Sequence, residues 1–330
     1  MLIDHLARVP LAHLPTPLEE LARLRDALGG GPRLLIKRDD QTGLATGGNK
    51  TRKLELVVAE ALGQGADTLI TAGGPHSNHC RQTAAAAAKL GLRCILVLSG
   101  PPLPRSAWQG NLLLDDLLGA EIRWSDDRPP EAVTAEVATS CETAGARPYV
   151  IPEGASVPLG AAGYIAAVEE LVEQLKVWDT EIDRIIVPSG SAGTQAGILI
   201  GVKALGLKTQ VEGVCDNADA PGSLERFKTL TAETLKYLKL DLAVVEEDFV
   251  LHGNYGEPGY AVITDAEREA IRLLARTEGI VTDPVYTGRA LAGLIDLIRR
   301  AIYAPTETIL FWHTGGVAGL FACASEMLVH

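Results

Sequence analysis

Aromatic residues are scarce in this chain, and the features that define several classes of protein are missing from it. Phe, Trp and Tyr make up 5% of the 330 residues, although 47% are hydrophobic. No apolar run reaches the roughly 18 residues that a membrane helix needs. The N-terminal stretch also lacks the basic segment followed by an apolar core that marks a signal peptide. We therefore expect a cytoplasmic protein with no membrane partner.

Cysteine, histidine and basic residues follow no pattern that points to a metal or to nucleic acid. The cysteines number five, an odd count, and no two have the CxxC spacing, so we interpret them as reduced thiols. His76 and His79 are three residues apart, but no third ligand lies nearby in sequence, and no metal site is predicted. The net charge of −12 argues against a nucleic-acid partner, whose phosphates need clustered Lys and Arg.

Short β-rich apolar runs alternate with helical stretches rich in Ala and Leu along the whole chain. This alternation predicts an α/β fold of parallel sheets covered by helices, which bind ligands where a strand ends and the next helix begins. The predicted strands are 34–37, 68–71, 94–98, 121–124, 185–188, 211–215 and 308–312. The predicted helices are 50–62, 81–90, 109–118, 130–144, 163–175, 194–205, 265–278, 288–301 and 317–327.

The first informative turn places a lysine at the start of a helix. Residues 46–53 read TGGNKTRK, which nearly matches the phosphate-binding loop GxxxxGK[ST], but Asn49 separates Gly48 from Lys50 and makes the spacing wrong by one residue. Lys50 and Lys53 share a helix face close to a helix N-terminus, which disfavours cations. An anionic ligand, or a lysine neutralised as an imine, would remove this penalty. The alternative is a pair of solvated surface lysines.

Two further turns offer free backbone N–H groups to an anion. Ser77 and Asn78 stand where a helix begins, so they suit a carboxylate, although either could be an ordinary N-cap. The loop 189–194 is made of small residues and suits a phosphate, although a tight strand-to-helix turn explains it as well. Together with the turns at 282–288 and 313–316, these features make a phosphate-bearing cofactor attractive.

Five runs along the chain carry a family resemblance: GGNKTRKLE, SNHCRQTAA, PSGSAGTQAG, DPVYTGRALAGL and FWHTGG, in this order. In them the chain resembles the D-cysteine desulfhydrase and 1-aminocyclopropane-1-carboxylate (ACC) deaminase family of pyridoxal phosphate enzymes, which have the tryptophan-synthase-β-like fold type II. The resemblance implies an α/β protein with two domains built on open twisted parallel sheets. A large cofactor-binding domain would contain residues 1–53 and 161–330, and a small domain residues 54–160. It also implies a homodimer.

The resemblance assigns pyridoxal 5′-phosphate as the cofactor and indicates the residues that would bind it. Lys50 would be the Schiff-base lysine and also the base that removes the substrate's α-proton, a role that needs a neutral amine. Lys53 would contact the cofactor phosphate, and Asn78 would lie beside the ring oxygen. The phosphate would be cradled by the loop of Ser189, Gly190, Ser191, Ala192, Gly193 and Thr194.

The substrate, a small amino acid, would be bound by residues of two of the turns described above. Ser77 and the backbone amides of Asn78 and His79 would hold its carboxylate, and Tyr286 would lie near the reacting carbons and the leaving group. His76 stands where the family commonly has Gln.

A second active-site tyrosine is also implied by the resemblance. Tyr260 lies at the right distance from the following helical segment, although the glycine and proline that usually surround this tyrosine are replaced. Tyr255 is a competing match, because it stands in the run Asn-Tyr-Gly-Glu-Pro. The two alternatives stay open at this point.

Two threonines distinguish between activities within the family. Deaminase members usually have Glu and Leu where this chain has Thr287 and Thr314, as desulfhydrase members do. A carboxylate beside the ring nitrogen would keep it protonated and electron-withdrawing, whereas a hydroxyl would not. We therefore expect β-elimination from D-cysteine or a similar amino acid. The alternatives are an ACC deaminase, an L-cysteate sulfo-lyase, a β-chloro-D-alanine lyase, and a binding module without turnover.

Overall fold

The computed structural model describes residues 2–257 and 259–328, and the strands in this part form two separate sheets. The strands are β1 (Leu18–Glu20), β2 (Arg33–Arg38), β3 (Thr68–Gly73), β4 (Arg93–Leu98), β5 (Glu121–Trp124), β6 (Pro148–Ile151), β7 (Arg184–Ser189), β8 (Gln210–Cys215), β9 (Val250–His252) and β10 (Thr308–His313). One sheet has the order β1-β2-β10-β7-β8-β9, and the other has the order β5-β4-β3-β6.

Helices connect most of these strands, as parallel pairing requires. They are α1 (Ala22–Ala27), α2 (Lys50–Gly63), α3 (Asn78–Leu90), α4 (Gly110–Leu117), α5 (Pro130–Thr143), α6 (Pro158–Trp178), α7 (Gly193–Ala204), α8 (Ala220–Leu238), α9 (Asp265–Glu278), α10 (Thr287–Arg299), α11 (Val317–Ala322) and α12 (Ala324–Met327). Across the described ranges, none of the helices combines the length and the apolar character needed to cross a membrane.

The six-stranded sheet is parallel apart from β1, which pairs with β2 in the antiparallel direction. Its central strands bury both faces, and neighbouring residues contribute to different cores. Ile309 and Phe311 pack with residues of α9 and α10, whereas Leu310 and Trp312 pack with residues of α6 and α7. Burial on both sides explains why these strands read as continuous apolar runs rather than alternating ones.

The four-stranded sheet is parallel throughout and uses only strands from residues 68 to 151. Its core includes Leu69 and Leu96 from the strands, Val57 from α2 and Ala84 from α3. The alanine-rich side of α3 allows the helix to pack closely, since small side chains leave little space between helix and sheet. The domain boundaries predicted from the sequence stay a prediction.

The predicted strands and most predicted helices are present, with ends shifted by a few residues. The structure adds β1, β6 and β9, which have three or four residues each, and the short helix α1. It also adds α8, whose buried face includes Ser223, Thr231 and Thr234 beside Phe227. Leu224, Phe227 and Leu230 recur at helical spacing on this face, so the sequence carried a signal for the helix that the prediction did not use. The predicted helix 317–327 is wrong as one element, because α11 and α12 meet at Cys323.

Candidate active site

A cavity of about 450 Å³ lies beyond the carboxyl ends of strands from both sheets. Its walls come from the segments that follow β3, β6, β7, β8 and β10, as expected for parallel α/β sheets. The lining residues are Asn49, Lys50, Ser77, Asn78, His79, Glu153, Gly154, Ser156, Pro188, Gly190, Ser191, Ala192, Thr194, Gln195, Asp216, Asn217, Arg226, Tyr260, Tyr286 and Thr314.

Lys50 is the first residue of α2, and its amine faces this cavity. Its Nζ donates to Asn49 Oδ1 at 3.1 Å. Burial lowers the pKa of Lys50 to about 8, although the carboxylates of Asp216 and Glu153 oppose the shift. A substantial part of the amine is therefore neutral near pH 8, and only a neutral amine can attack a carbonyl or accept a proton.

The loop between β7 and α7 has the backbone shape of an anion-binding site. Ala192 has φ +66°, a left-handed conformation that is costly for a residue other than glycine. A side chain at Gly190 would clash with the Asp216 carboxylate. The first turn of α7 has N–H groups without a partner inside the helix, and Ser191 and Thr194 line the cavity at this end. The loop can thus approach a bound phosphate closely.

The amine of Lys53 lies behind this loop. Its Nζ donates to Gly154 O at 3.1 Å and to Ser156 Oγ at 3.3 Å, and a Cβ added to Gly193 would lie only 2.7 Å from it. Within the described ranges no carboxylate forms an ion pair with Lys53. Burial and the nearby charge of Lys50 lower its pKa well below the usual value. A buried amine without a carboxylate partner, beside a helix N-terminus, would gain a proton when an anion such as the phosphate of pyridoxal phosphate binds, so the site fits that group.

Asn49 links the lysine to the anion-binding loop. Its Nδ2 donates to Thr194 Oγ1 at 3.0 Å, while its Oδ1 accepts from Lys50. Its backbone N–H donates to Thr314 O at 2.9 Å. The residue that spoils the phosphate-loop spacing in the sequence therefore holds two parts of the cavity together.

The start of α3 forms another wall. Ser77 is the N-cap, because its Oγ accepts from the Cys80 backbone N–H at 3.2 Å. The N-cap interpretation is thus correct for Ser77, and the residue lines the cavity as well. The amides of Asn78 and His79 belong to the first turn of α3, where N–H groups have no partner within the helix. This end of the helix can accept a carboxylate.

The His79 imidazole is held in one tautomer. Thr71 Oγ1 donates its single proton to Ile151 O at 2.7 Å, so it must accept from His79 Nε2 at 2.8 Å. His79 Nδ1 is then an acceptor, buried and without a hydrogen-bond partner in the part of the chain described. Burial, with the charges of Lys50 and Lys53, lowers the pKa of His79 well below its usual value, and the ring is neutral.

Two tyrosines meet at the far side of the cavity. The hydroxyls of Tyr260 and Tyr286 are 2.5 Å apart, and their rings pack edge to face. Burial raises the pKa of both phenols. Tyr255 lies elsewhere, where its hydroxyl donates to Asp296 Oδ2 at 2.6 Å. The geometry places Tyr260, and not Tyr255, at this site.

The two threonines that distinguish members of the family are placed differently. Thr314 lines the cavity. Thr287 is fully buried and lies behind the wall, where Asp283 Oδ1 accepts from its hydroxyl at 2.5 Å. Asp283 also accepts from the backbone N–H groups of Val285 and Tyr286, so it fixes the start of α10.

Most of the predicted site residues therefore line the cavity, but some lie behind its wall. Lys53, Ser189, Gly193 and Thr287 do not line the cavity, and Lys53 and Gly193 contact each other behind it. Their roles toward a cofactor stay predictions.

Three charged residues at the cavity were missed in the sequence. Asp216 follows β8 directly and could have been found by the strand-end rule used for the other turns. Glu153 follows the missed strand β6, and Arg226 lies on the missed helix α8. Burial raises the pKa of Asp216 and of Glu153, so both carboxyls hold protons more readily than exposed ones.

Comparisons with known proteins identify the family of the chain. A family model described as pyridoxal-phosphate dependent enzyme matches residues 9–315. A solved structure, described as that of an ACC deaminase homologue, is 37% identical and superposes with a TM-score of 0.91. That match covers 99% of this chain and 97% of the other.

The two sheets and the cavity beyond their carboxyl ends define an α/β protein of the fold type II architecture, as predicted. The chain belongs to the family of pyridoxal-phosphate-dependent enzymes, and within it to the relatives of ACC deaminase and D-cysteine desulfhydrase that the five sequence runs indicated. Both the fold class and the family resemblance are confirmed, and so is the cofactor.

Proposed function

We propose that this chain is a carbon–sulfur lyase that eliminates the β-substituent of D-cysteine or a similar small amino acid. The products would be pyruvate, ammonia and sulfide, or another leaving group. The observation that carries the proposal is the position of Lys50, whose partly neutral amine shares one cavity with an anion-binding loop, a helix N-terminus and a tyrosine pair.

The cofactor would be held by its phosphate and by its ring. The start of α7 with Ser191 and Thr194 would surround the phosphate, and Lys53 would neutralise it from behind the loop. Asn78 lies on the cavity wall and would donate to the ring oxygen. When bound, pyridoxal phosphate withdraws electrons from the substrate's α-carbon and makes its proton acidic.

Lys50 would bind the cofactor covalently and, once released by the substrate, accept the α-proton at Nζ. Its pKa of about 8 suits this role, because a base works best when its pKa lies near the working pH. The Asn49 side chain orients the amine by accepting from it. Lys50 is thus proposed to act in both binding and proton transfer.

The substrate would be oriented at its two ends. Ser77 and the free amides of Asn78 and His79 would bind its carboxylate. The phenols of Tyr260 and Tyr286 would face the β-substituent, and their raised pKa values keep them protonated. A protonated hydroxyl pair can donate to a departing thiolate and stabilise its charge.

Thr287 and Thr314, which stand where deaminase members usually have Glu and Leu, favour desulfhydrase over deaminase chemistry. A hydroxyl cannot keep the ring nitrogen charged as a carboxylate does, and opening a cyclopropane demands a stronger electron sink than expelling a thiolate. Thr287, whose hydroxyl is bonded to Asp283, offers no carboxylate of its own here either.

A substrate panel tests the proposal. Purified protein incubated with pyridoxal phosphate should absorb near roughly 410–420 nm, a general property of lysine-bound cofactor. It should then form pyruvate from D-cysteine faster than from L-cysteine, D- or L-cysteate or β-chloro-D-alanine, and no 2-oxobutyrate from ACC.

Two variants accompany the panel. Lys50→Ala should abolish both the visible band and the pyruvate, whereas the surface variant Lys176→Ala should retain both. A colourless wild-type protein would overturn the proposal, and 2-oxobutyrate from ACC would replace it with the deaminase. A visible band without any product would instead support the alternative of a binding module without turnover.

The assembly and the compartment of the enzyme also belong to this proposal. The family resemblance favours a homodimer, and we propose a cytoplasmic location. Light scattering of the purified protein should give about twice the chain mass of 34.9 kDa.

A further inference from the structure

Arg81 is a fully buried arginine whose charge has no direct partner. Its side chain is 0% exposed, and within residues 2–257 and 259–328 no carboxylate lies at ion-pair distance from it. Burial lowers its pKa to about 10, and Asp115 and Asp283 oppose the shift only from a distance. Burying an unpaired cation is costly, so the hydrogen bonds that it makes need an explanation.

These hydrogen bonds go to neutral oxygens. Arg81 Nη1 donates to Asn78 Oδ1 at 2.9 Å and to Asn111 Oδ1 at 2.6 Å. Arg81 Nη2 donates to Gly47 O at 2.7 Å. The guanidinium therefore joins the start of α3, the start of α4 and the glycine-rich loop that leads to Lys50.

The network permits only one orientation of the two amides. Arginine has donors and no acceptor, so the atoms of Asn78 and Asn111 that face it must be oxygens. Asn111 Nδ2 then donates to His76 O at 2.7 Å and to Asn78 Oδ1 at 3.1 Å. Asn78 Oδ1 thus accepts twice, and every contact agrees with the same assignment.

The consequence concerns the other end of the Asn78 amide. With Oδ1 turned toward Arg81 and Asn111, Nδ2 is left as a donor, and it makes no hydrogen bond to any residue of the described ranges. Asn78 lines the cavity that also contains Lys50. A donor fixed in this way selects an acceptor or anionic oxygen on a ligand, and it disfavours a protonated one.

We propose that Arg81 is a positioning residue that holds the Asn78 amide with its N–H₂ group toward the cofactor oxygen, in fixed register with the loop before Lys50. This inference rests on the proposed function, because it requires the cofactor ring to lie beside Asn78. Arg81 itself touches neither cofactor nor substrate. It acts through Asn78, and its contribution to cofactor binding should disappear when the Asn78 amide is removed.

A double-mutant cycle on the dissociation constant for pyridoxal phosphate tests this dependence. The constant is obtained from the rates of binding and release, followed by the visible absorbance. Arg81→Lys keeps the charge but cannot reach three oxygens, and we expect the constant to rise about fivefold, the value of roughly one hydrogen bond. In the Asn78→Ala background the same change should raise it by less than about twofold.

Asn111→Ala provides a second variant in case Arg81→Lys folds poorly. It removes the donor to Asn78 and one acceptor of Arg81 without adding a charge, so it should show the same dependence on Asn78. Thr83→Val is the matched control, because Thr83 is buried on the same helix and its hydroxyl has no partner in the described structure. It should leave the constant unchanged.

Equal effects of Arg81→Lys in the two backgrounds would show that Arg81 acts only by packing α3, and they would overturn the proposal. The wild-type titration tests the proposed function separately. A wild-type protein without a visible band contradicts the cofactor site and this inference with it. A normal wild-type titration with an additive cycle contradicts only the role of Arg81.

Discussion

Helix α2 carries two sets of buried charges that behave in opposite ways. Arg52 points away from the cavity and is paired, since it donates to both oxygens of Asp39 and to Glu170. Lys50 and Lys53, on the same two turns, lie toward the cavity, Lys50 on its wall and Lys53 behind the loop 189–194, and neither has an ion pair in the described ranges. Helix α2 therefore carries a closed cluster, in which Arg52 is paired with Asp39 and Glu170, and an open cluster, Lys50 and Lys53, which has no ion pair in the described ranges.

The pKa values follow this difference. Burial alone raises the pKa of Asp39, but the Arg52 guanidinium holds it at about 2. Burial lowers the pKa of Arg52, but Asp39 and Glu170 bring it above the usual value. In the cavity burial prevails, and it lowers the pKa of Lys50 and of Lys53. Paired charges stay charged, and unpaired ones are driven toward neutrality.

The closed cluster also fixes the helix that carries Lys50. Asp39 accepts from Thr16 Oγ1, Tyr164 OH and Trp312 Nε1 as well, so the segment after β2, α6, β10 and α2 meet at one carboxylate. A buried acceptor with this many donors holds its neighbours in a single arrangement. The open cluster can then remain unpaired without moving.

The largest effect is expected for Lys50→Arg, which keeps the charge of the open cluster and removes its ability to become neutral. An arginine can neither bind the cofactor aldehyde nor accept a proton. Pyruvate formation should fall by at least about 10³-fold, as for loss of a nucleophile and base. Steady-state assays with D-cysteine and the visible spectrum check this, with Lys176→Arg as the surface control. Retained activity would show that another residue is the base.

Asp39→Asn should instead destabilise the fold. The change removes the charge opposite Arg52 while keeping the shape, and loss of one partner in a buried pair costs about 3 kcal/mol of unfolding free energy. Denaturant unfolding of the apoprotein measures it. A loss below about 1 kcal/mol would mean that the cluster contributes no more than a surface ion pair.

The same carboxylate predicts a dependence on acid. The pKa of Asp39 is about 2 in the folded protein and 3.8 ordinarily, so its stabilisation is complete above about pH 4. It is lost as the pH falls toward 2. Wild type should therefore lose stability over this range more steeply than Asp39→Asn does, and parallel curves would contradict the assignment.

Lys53→Met should act in the opposite sense to Asp39→Asn. At pH 7 an unfolded Lys53 binds a proton that the folded protein resists, so removing it should leave the apoprotein as stable as before or slightly more stable. Cofactor affinity should fall by roughly 10- to 100-fold, because one charged hydrogen bond to the phosphate is lost. Thermal unfolding with and without pyridoxal phosphate separates the two effects. If Lys53→Met destabilised the apoprotein, Lys53 would behave like the paired charges of the closed cluster.

The contrast between the clusters also marks how far the sequence could be interpreted. The turns at Lys50, Ser77 and Thr194 were found because Gly, Ser and Asn after an apolar run carry a local signal. Asp39 and Glu170 were not found, since Arg52, which joins the two carboxylates, lies 118 residues from Glu170 along the chain and no periodicity reports such a distance. Charged pairs that form only in three dimensions leave no pattern in a single sequence.

Arg81 and Asp216 mark a second limit. Arg81 stands in a run that was examined and Asp216 directly follows a predicted strand, but nothing local shows that Arg81 turns inward toward Gly47 or that Asp216 lies against Gly190. Tyr260 is the reverse case, because the two alternatives were stated and only the hydroxyl contact with Tyr286 separated them. The sequence motifs located the cavity, whereas the charge interactions of its residues could be identified only from the three-dimensional structure.

The smallest effect concerns the pH dependence of cofactor attachment, and it measures the open cluster directly. Attack on the aldehyde needs neutral Lys50, whose pKa of about 8 lies below the ordinary 10.5 because of burial. The rate of appearance of the visible band should rise about tenfold from pH 7 to pH 9 and then level off. Stopped-flow mixing of apoprotein with pyridoxal phosphate provides the measurement, with the pH dependence of free lysine as the reference. A rate that keeps rising to pH 10 would show that the amine is solvated like an exposed one, and the difference between the two faces of α2 would then lie in their partners alone and not in their pKa values.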